Sequence, residues 1–211
     1  MPANFDLIAR PYRWLEYLSF GSLLERCRYY RLPELVKARR ALVLGDGDGR
    51  FLARLLKENH NLEADVVDLS PVMLRLLSQR VAEAGASGRV TLHQTDALRF
   101  VPAGVYDLVV SHFFLDCFNN EELRELVTRI RPHLAREAVW VLSEFAIPSN
   151  LAFLPAQIIV GGLYLAFGVL TGLRVRRLPD YASALNSAGL ALREKRGWLG
   201  GLLVSEVWIK N

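Results

Sequence analysis

Two kinds of hydrophobic pattern alternate along the middle of the chain. Short uninterrupted apolar runs predict buried strands, and apolar residues three or four positions apart predict amphipathic helices. Helix signals at Ser70-Pro71 and at Asn119 lie between the runs. The predicted strands cover residues 41–44, 62–68, 90–94, 106–111 and 138–145. Strands that alternate with helices predict an α/β fold with a mostly parallel sheet.

The two ends of the chain complete this fold. Short amphipathic helices are predicted before residue 38, the second of them over residues 21–31. A helix over residues 181–188 precedes two strands, 191–196 and 203–209, and a glycine pair between these strands forms the turn of an antiparallel hairpin. The predicted fold class is therefore α/β: a three-layer α/β/α, doubly wound, mostly parallel seven-stranded sheet with an antiparallel closing hairpin and N-terminal helices.

Composition narrows the class of protein. The chain has 211 residues, 52% of them hydrophobic and 23% charged, which suits one folded domain. Its 26 basic residues are interleaved with 22 acidic ones, which argues against a surface for nucleic acid. Cys27 and Cys117 have neither disulfide nor metal-site spacing, and Asp6 and Arg10 interrupt any signal peptide. We expect a cytoplasmic protein without a metal.

The first strand leads directly into a glycine-rich loop, Gly45-Asp46-Gly47-Asp48-Gly49, and then into a helix. Strand, glycine turn and helix form the first half of a nucleotide-binding βαβ unit. A dinucleotide fingerprint has its third glycine five residues after the first, and Arg50 occupies that position here. The spacing therefore argues against a nicotinamide dinucleotide.

An acidic residue ends the second predicted strand. Asp68 lies 19 residues after Gly49, and an acid at this strand tip suits hydrogen bonds to the hydroxyl groups of a ribose. The alternative is that Asp68 only forms the turn before the next helix.

Together these motifs resemble those of the S-adenosylmethionine-dependent methyltransferases of Rossmann type (class I), in the branch that methylates small molecules. The resemblance covers residues 38–145 and rests on the G-x-G-x-G loop, on Val-Val-Asp-Leu-Ser-Pro around Asp68, on Asp96 after the third strand and on Asp107 in the fourth. Most members carry an acid where this chain has Val43, so Asp46 or a loop carbonyl is expected to hold the methionine ammonium group instead.

The resemblance implies a set of cofactor-binding residues. The glycine loop would pass under the methionine and ribose, Asp68 would bind the ribose, Asp96 the adenine amino group, and Met73 would flank the adenine ring. The expected cofactor contacts are Gly45, Asp46, Gly47, Gly49, Asp68, Leu69, Met73, Asp96, Ala97, Leu98, Ser111 and His112.

The segment after the fourth strand should lie beside the reactive methyl group. His112 is the candidate general base, with Asp116 or Glu144 to orient it or to hold a cationic acceptor. Phe114 is expected to contact the acceptor. Each residue has a structural alternative: His112 packs on the cofactor, Asp116 caps a helix, and Glu144 forms a buried ion pair.

No charged residue occurs between residues 151 and 173, a stretch long enough to span a bilayer. The strands on either side belong to one sheet, which excludes a crossing. A helix that is apolar all round needs cover on both sides. We expect it to lie over the carboxyl edge of the sheet, where Tyr164 and Phe167 line an apolar acceptor cavity. Packing within the monomer or in a homodimer is the alternative, and peripheral membrane contact through the following arginines stays open.

The whole chain, 1–211, is predicted to be one methyltransferase domain. Its segments are a helical N-terminal segment (1–38), the cofactor-binding core (38–145), an apolar acceptor-side helix (146–180) and a closing helix and hairpin (181–211). The predicted function is in-line methyl transfer from S-adenosylmethionine, with S-adenosylhomocysteine as the product, to a small apolar or amphiphilic acceptor. The alternatives are an aminopropyltransferase-like enzyme, because of the Gly-Asp-Gly loop, and a cofactor-binding interaction module without turnover.

Overall fold

A computed structural model describes residues 20–173 and 175–210. It contains a seven-stranded sheet flanked by helices. The strands are β1 (Arg40–Leu44), β2 (Glu63–Asp68), β3 (Val90–Gln94), β4 (Tyr106–His112), β5 (Leu134–Phe145), β6 (Leu190–Trp198) and β7 (Leu203–Lys210). The helices are α1 (Leu23–Tyr29), α2 (Arg50–Glu58), α3 (Pro71–Glu83), α4 (Asn120–Ile130), α5 (Phe153–Thr171) and α6 (Tyr181–Ser187). The helices predicted before residue 20 lie outside the described residues.

The strand order in the sheet is β3-β2-β1-β4-β5-β7-β6. The first five strands pair in parallel, and β7 runs antiparallel between β5 and β6. This arrangement confirms the predicted fold class. It also brings the carboxyl ends of β1 to β4 to one edge of the sheet, where open α/β sheets bind their ligands.

Alternate residues of the central strands face two separate cores. Leu42 and Leu44 of β1 pack with α4 and α6 on one face, together with Trp140 and Trp208. Ala41 and Val43 pack with α2 and α3 on the other face. Each core is closed by its own pair of helices, which gives the three layers.

The predicted helix starts are capped as their sequences indicate. The Ser70 hydroxyl accepts a hydrogen bond from the Met73 N–H at 3.1 Å, and Pro71 is the first residue of α3. Asn119 and Glu122 form a reciprocal capping box at the start of α4. These caps fix where the loops after β2 and β4 end.

Asp107 is structural. Its two carboxylate oxygens accept the backbone N–H groups of Arg39 and Arg40 at 2.8 and 2.9 Å. The residue therefore joins the start of β4 to the start of β1 and lies at the edge of the sheet opposite the glycine loop.

Helix α5 departs from the prediction that it is covered on both sides. Only a stripe of Ala156, Val160 and Tyr164, with Thr171 near its end, is buried. The stripe packs on α1 and on the ends of β5 and β7. Most of the remaining surface of the helix is exposed to solvent.

Candidate functional site

A cavity of about 510 Å³ lies at the carboxyl edge of the sheet, a size typical of small-molecule sites. The loops after β1, β2, β3 and β4 form most of its wall, and α1 and the segment after α5 complete it. The lining residues are Arg28, Gly45, Asp46, Gly47, Asp48, Arg50, Val67, Asp68, Leu69, Met73, Thr95, Asp96, Ala97, Leu98, His112, Phe113, Phe114, Cys117, Phe118, Asn119, Glu122, Leu173 and Val175.

The three glycines of the loop have positive φ angles, but their surroundings differ. A Cβ on Gly45 would lie 2.1 Å from the Phe114 ring, so this glycine lets the aromatic ring pack on the loop. A Cβ on Gly47 would meet nothing closer than Met73 Sδ at 4.0 Å, which leaves its backbone open toward the cavity. A Cβ on Gly49 would lie 2.6 Å from Leu77 of α3.

Gly49 therefore does not line the cavity, contrary to its predicted cofactor contact. It lets α3 pack closely on the start of α2. Asp48, the second aspartate of the loop, also has a structural role. It forms ion pairs with Arg50 and Arg80, each at 2.9 Å. Of the three glycines, Gly47 alone lines the cavity with open space around its backbone.

Two carboxylates mark the tips of neighbouring strands, as predicted. Asp68 ends β2 and accepts the N–H of Ser70 at 2.8 Å. Asp96, two residues after β3, accepts the N–H of Leu98 at 2.9 Å. The predicted apolar neighbours Leu69, Met73, Ala97 and Leu98 line the same part of the cavity. These residues fit an adenosine: acceptors for its hydroxyl and amino groups stand beside an apolar slot for the ring.

The opposite end of the cavity combines one acidic and one basic side chain. Asp46 accepts the N–H of Leu52 at 3.0 Å. Burial raises the pKa of Asp46 to about 7, although the Leu52 hydrogen bond and the charge of Arg28 oppose the rise. Arg28 of α1 is only 7% exposed and lies 5.7 Å from the centre of the Phe113 ring. A zwitterionic amino-acid group fits this pair.

Sequence reasoning missed Arg28. The residue precedes the first strand and belongs to no motif, so only the packing of α1 against the sheet brings it to the cavity. Val43, which stands where an acid is common, points into the core between the sheet and α2.

His112 lines the cavity at the end of β4 and is buried. Its Nδ1 lies 3.0 Å from the Ser143 hydroxyl, which itself donates to the Cys27 carbonyl oxygen at 3.3 Å. Ser143 therefore accepts from Nδ1–H, and this assigns the tautomer with a lone pair on Nε2. Burial, and then the charge of Arg28, lower the pKa of His112 well below its usual 6.5. Within the described part of the chain, Nε2 has no hydrogen-bond partner.

Glu144 does not line the cavity, which corrects its predicted place there. Its Oε1 accepts the N–H groups of Phe114 and Leu115 at 3.1 and 2.8 Å. Burial and then the nearby Asp116 raise the pKa of Glu144 well above its usual value. Glu144 thus holds the loop after β4 in place and forms no ion pair in the described structure.

Asp116 and Tyr164 also lie behind the cavity wall, against the prediction. Burial raises the pKa of Asp116 to about 6, and its carboxylate accepts from the Cys117 thiol at 3.7 Å. The Tyr164 hydroxyl donates to the Asp116 carbonyl oxygen at 3.0 Å. Helix α5 therefore fastens the loop after β4 from outside.

Two further predicted contacts are not on the cavity wall. The Ser111 hydroxyl is fully buried and accepts from the Trp140 indole N–H at 2.9 Å, because its side chain points into the core rather than to the strand end. Phe167 lies on α5 away from the lining residues. Phe114 does line the cavity, together with Phe113, Phe118, Leu173 and Val175, which the sequence did not single out.

Comparison with known proteins agrees with this site. Residues 42–140 match the family described as "Methyltransferase domain". The matched range begins in β1 and ends in β5, so it contains the glycine loop, Asp68, Asp96 and His112. The fold, the loop and this match confirm the predicted resemblance to the S-adenosylmethionine-dependent methyltransferases of Rossmann type (class I), and they support S-adenosylmethionine as the cofactor.

Individual relatives are distant. The demethylspheroidene O-methyltransferase of Cereibacter sphaeroides is 28% identical over 176 residues, which are 76% of this chain and 41% of that enzyme. The polyamine aminopropyltransferase 2 of Bacillus cereus is 29% identical over 141 residues, which are 59% of this chain and 38% of that enzyme. These alignments span about two fifths of each curated relative.

Solved structures agree at the level of the fold. The N-methyltransferase NodS of Bradyrhizobium japonicum, in complex with S-adenosylhomocysteine, superposes with a TM-score of 0.65 at 17% identity. The superposition covers 89% of this chain and 87% of that chain.

Proposed function

We propose that this chain transfers the methyl group of S-adenosylmethionine to a small apolar or amphiphilic acceptor that carries an ionisable X–H group. The observation that carries the proposal is one cavity that is lined by the glycine loop, by two strand-tip carboxylates and by a buried histidine. S-adenosylmethionine supplies an activated methyl group when bound, so the protein has mainly to align the reactants and exclude water.

The donor half of the cavity has a partner for each part of the cofactor. Asp68 would bind the ribose hydroxyls and Asp96 the adenine amino group. Asp46 would bind the ammonium group, and Arg28 the carboxylate. All four side chains line the same cavity.

Arg28 separates this proposal from the aminopropyltransferase alternative. A donor of a 3-aminopropyl group is the same sulfonium without its carboxylate. Such a donor would offer the buried guanidinium no carboxylate, whereas a donor that keeps its carboxylate can form a charge-assisted hydrogen bond with it. Arg28 therefore favours a donor that keeps its carboxylate, and hence methyl transfer.

The acceptor half is apolar. Phe113, Phe114, Phe118, Leu173 and Val175 surround the end of β4, which supports an apolar or amphiphilic acceptor. The lowered pKa of His112 favours its neutral form, and its Nε2 lone pair would take the proton that the acceptor loses. Ser143 would keep the imidazole in this tautomer. We do not assign Asp116 or Glu144 a contact with the acceptor, since both lie behind the wall.

Calorimetry tests the donor assignment directly. The chain should bind S-adenosylhomocysteine more tightly than its decarboxylated analogue, and Arg28→Leu should reduce that preference. Tight binding of the decarboxylated analogue or of NAD would refute the proposal. Transfer of a labelled methyl group to any of a panel of apolar hydroxyl compounds separates an enzyme from a binding module without turnover.

Two proposals concern the surroundings of the protein. The free thiols Cys27 and Cys117 favour the reducing cytoplasm. The exposed apolar surface of α5 favours contact with either a second copy of the chain or a membrane surface.

A further inference from the structure

Four aliphatic residues form a line along the exposed side of α5, and we name them the α5 ridge: Leu154, Ile158, Leu165 and Val169. They are 65% to 80% exposed. Their spacing of four, seven and four residues places them on one face of the helix. The buried stripe of Ala156, Val160 and Tyr164 lies on another face and packs on the body of the protein.

The apolar surface continues beyond the start of the helix. Leu151 is fully exposed, and Leu199, in the turn between β6 and β7, is about half exposed. Asn150 joins the two segments, because its side chain donates to the Gly200 carbonyl oxygen at 2.9 Å. Exposed apolar side chains therefore occur on the α5 ridge, just before the helix and in the neighbouring turn between β6 and β7.

We propose that the α5 ridge docks on the surface of an anionic lipid bilayer, with the helix parallel to the membrane plane. Its 19 residues and mean hydropathy of 1.9 would suffice for a crossing. However, β5 before the helix and β6 after it belong to one sheet, and the buried stripe fastens the helix to that sheet. The helix can therefore lie on a membrane but cannot span it.

The chemistry of the α5 ridge favours lipid over a protein partner. Its four side chains are Leu, Ile and Val, whereas the centres of protein interfaces are enriched in aromatic residues, Met and Arg. Acyl chains need no directional contacts. No charged residue occurs from 151 to 173, and exposed Arg176 and Arg177 follow just beyond the end of α5. Arginines at this place would bind anionic headgroups beside the inserted helix.

The position of the cavity supports the same partner. Leu173 and Val175, directly after α5, line the cavity wall. An acceptor dissolved in the bilayer would thus reach the cavity from the end of the docked helix. This step rests on the proposed function and names the acceptor class as lipid-soluble.

Vesicle co-sedimentation tests the docking without donor or turnover. The full chain is mixed with vesicles of phosphatidylcholine alone, and with vesicles of equal parts phosphatidylcholine and phosphatidylglycerol. One variant combines Leu165→Gln and Val169→Gln on the ridge, and a second combines Arg176→Gln and Arg177→Gln. The matched control combines Val101→Gln and Val105→Gln, which replace equally exposed valines at the opposite edge of the sheet.

We expect the wild type and the control to bind the phosphatidylglycerol vesicles equally. The ridge variant should bind about tenfold more weakly, and the arginine variant should lose the preference for the anionic lipid. Unchanged affinity for S-adenosylhomocysteine would show that the variants are folded. The docking is overturned if the wild type does not bind these vesicles, or if ultracentrifugation shows a dimer that the ridge variant dissociates. Methyl transfer to a water-soluble acceptor without vesicle binding would overturn the docking alone, and vesicle binding without methyl transfer would overturn the proposed function alone.

Discussion

Asp46 gives donor binding a pH dependence that follows from its position. Burial raises the pKa of this carboxyl from 3.8 to about 7 in the free protein. The ionised form attracts the ammonium group of the ligand, and the protonated form does not. Binding should therefore release a proton at or below neutral pH, and affinity should rise with pH through the pKa of Asp46.

The size of the effect follows from the ionised fraction. A carboxyl with a pKa near 7 is about one-eleventh ionised at pH 6 and about ten-elevenths ionised at pH 8. If only the ionised form binds well, the affinity for S-adenosylhomocysteine rises about tenfold over this range, or about 1.4 kcal/mol. The effect of pH on the stability of the ligand-free protein has the opposite sign. The folded state holds a proton that the unfolded state releases, so the contribution of Asp46 to stability is lost as pH rises from about 4 to about 7.

Calorimetry at pH 6, 7 and 8, in two buffers of different ionisation enthalpy, measures both affinity and proton release. Asp46→Asn should abolish the dependence of affinity on pH that arises from the protein. The dependence that remains should come only from titration of the ligand. Asp48→Asn is the matched control, because Asp48 is on the same loop but is held by Arg50 and Arg80. The same slope in wild type and in Asp46→Asn would refute the assignment of Asp46 to the ammonium group.

The other predictions concern single side chains of the site. Asp68→Ala should weaken S-adenosylhomocysteine binding by about 1–3 kcal/mol in calorimetry without unfolding the protein, and an unchanged affinity would mean that another acid binds the ribose. His112→Gln should reduce turnover about a hundredfold or more with little change in donor affinity, and a variant with wild-type kcat would exclude the histidine as base. Gly45→Ala should lower both stability and donor affinity, because its φ of 62° is strained for alanine and its Cβ would clash with the Phe114 ring, and calorimetric titration and thermal unfolding measure these two losses. Glu144→Gln should become more stable relative to wild type in denaturant titrations as the pH rises above 4.5, because the raised pKa of Glu144 costs the wild type stability over that range; a relative loss of stability with rising pH would show that the charge is needed.

The part of the cavity wall at the ends of β1, β2 and β3 could be predicted from sequence because its signals are local. The glycine loop, Asp68 and Asp96 each follow directly after a strand, and parallel strands bring their carboxyl ends to one edge. Gly49 shows the limit of this reasoning. Its place in the motif suggests a ligand contact, but its neighbour is Leu77 of another helix, which no local pattern identifies.

The acceptor half depends on contacts between distant segments. Glu144 stands near the end of a strand, like Asp68, but its side chain turns toward the backbone of the neighbouring loop instead of the cavity. Arg28 comes to the cavity only through the packing of α1. The hydrophobicity of α5 predicted a helix correctly. A helix that is apolar on all sides, however, does not indicate which of its faces packs on the rest of the protein.

The loop after β4 is held in place by contacts with several elements. Phe113 has a φ of 53°, a strained value that persists only where the surroundings fix it. Its N–H donates to the Ser143 carbonyl oxygen at 2.7 Å, Glu144 accepts the two N–H groups that follow, and Tyr164 holds the Asp116 carbonyl. A loop fixed by this many contacts cannot open to admit an acceptor. Leu173 and Val175, which follow α5, also line the cavity. We therefore expect an acceptor to enter past the end of α5, on the side of the exposed α5 ridge.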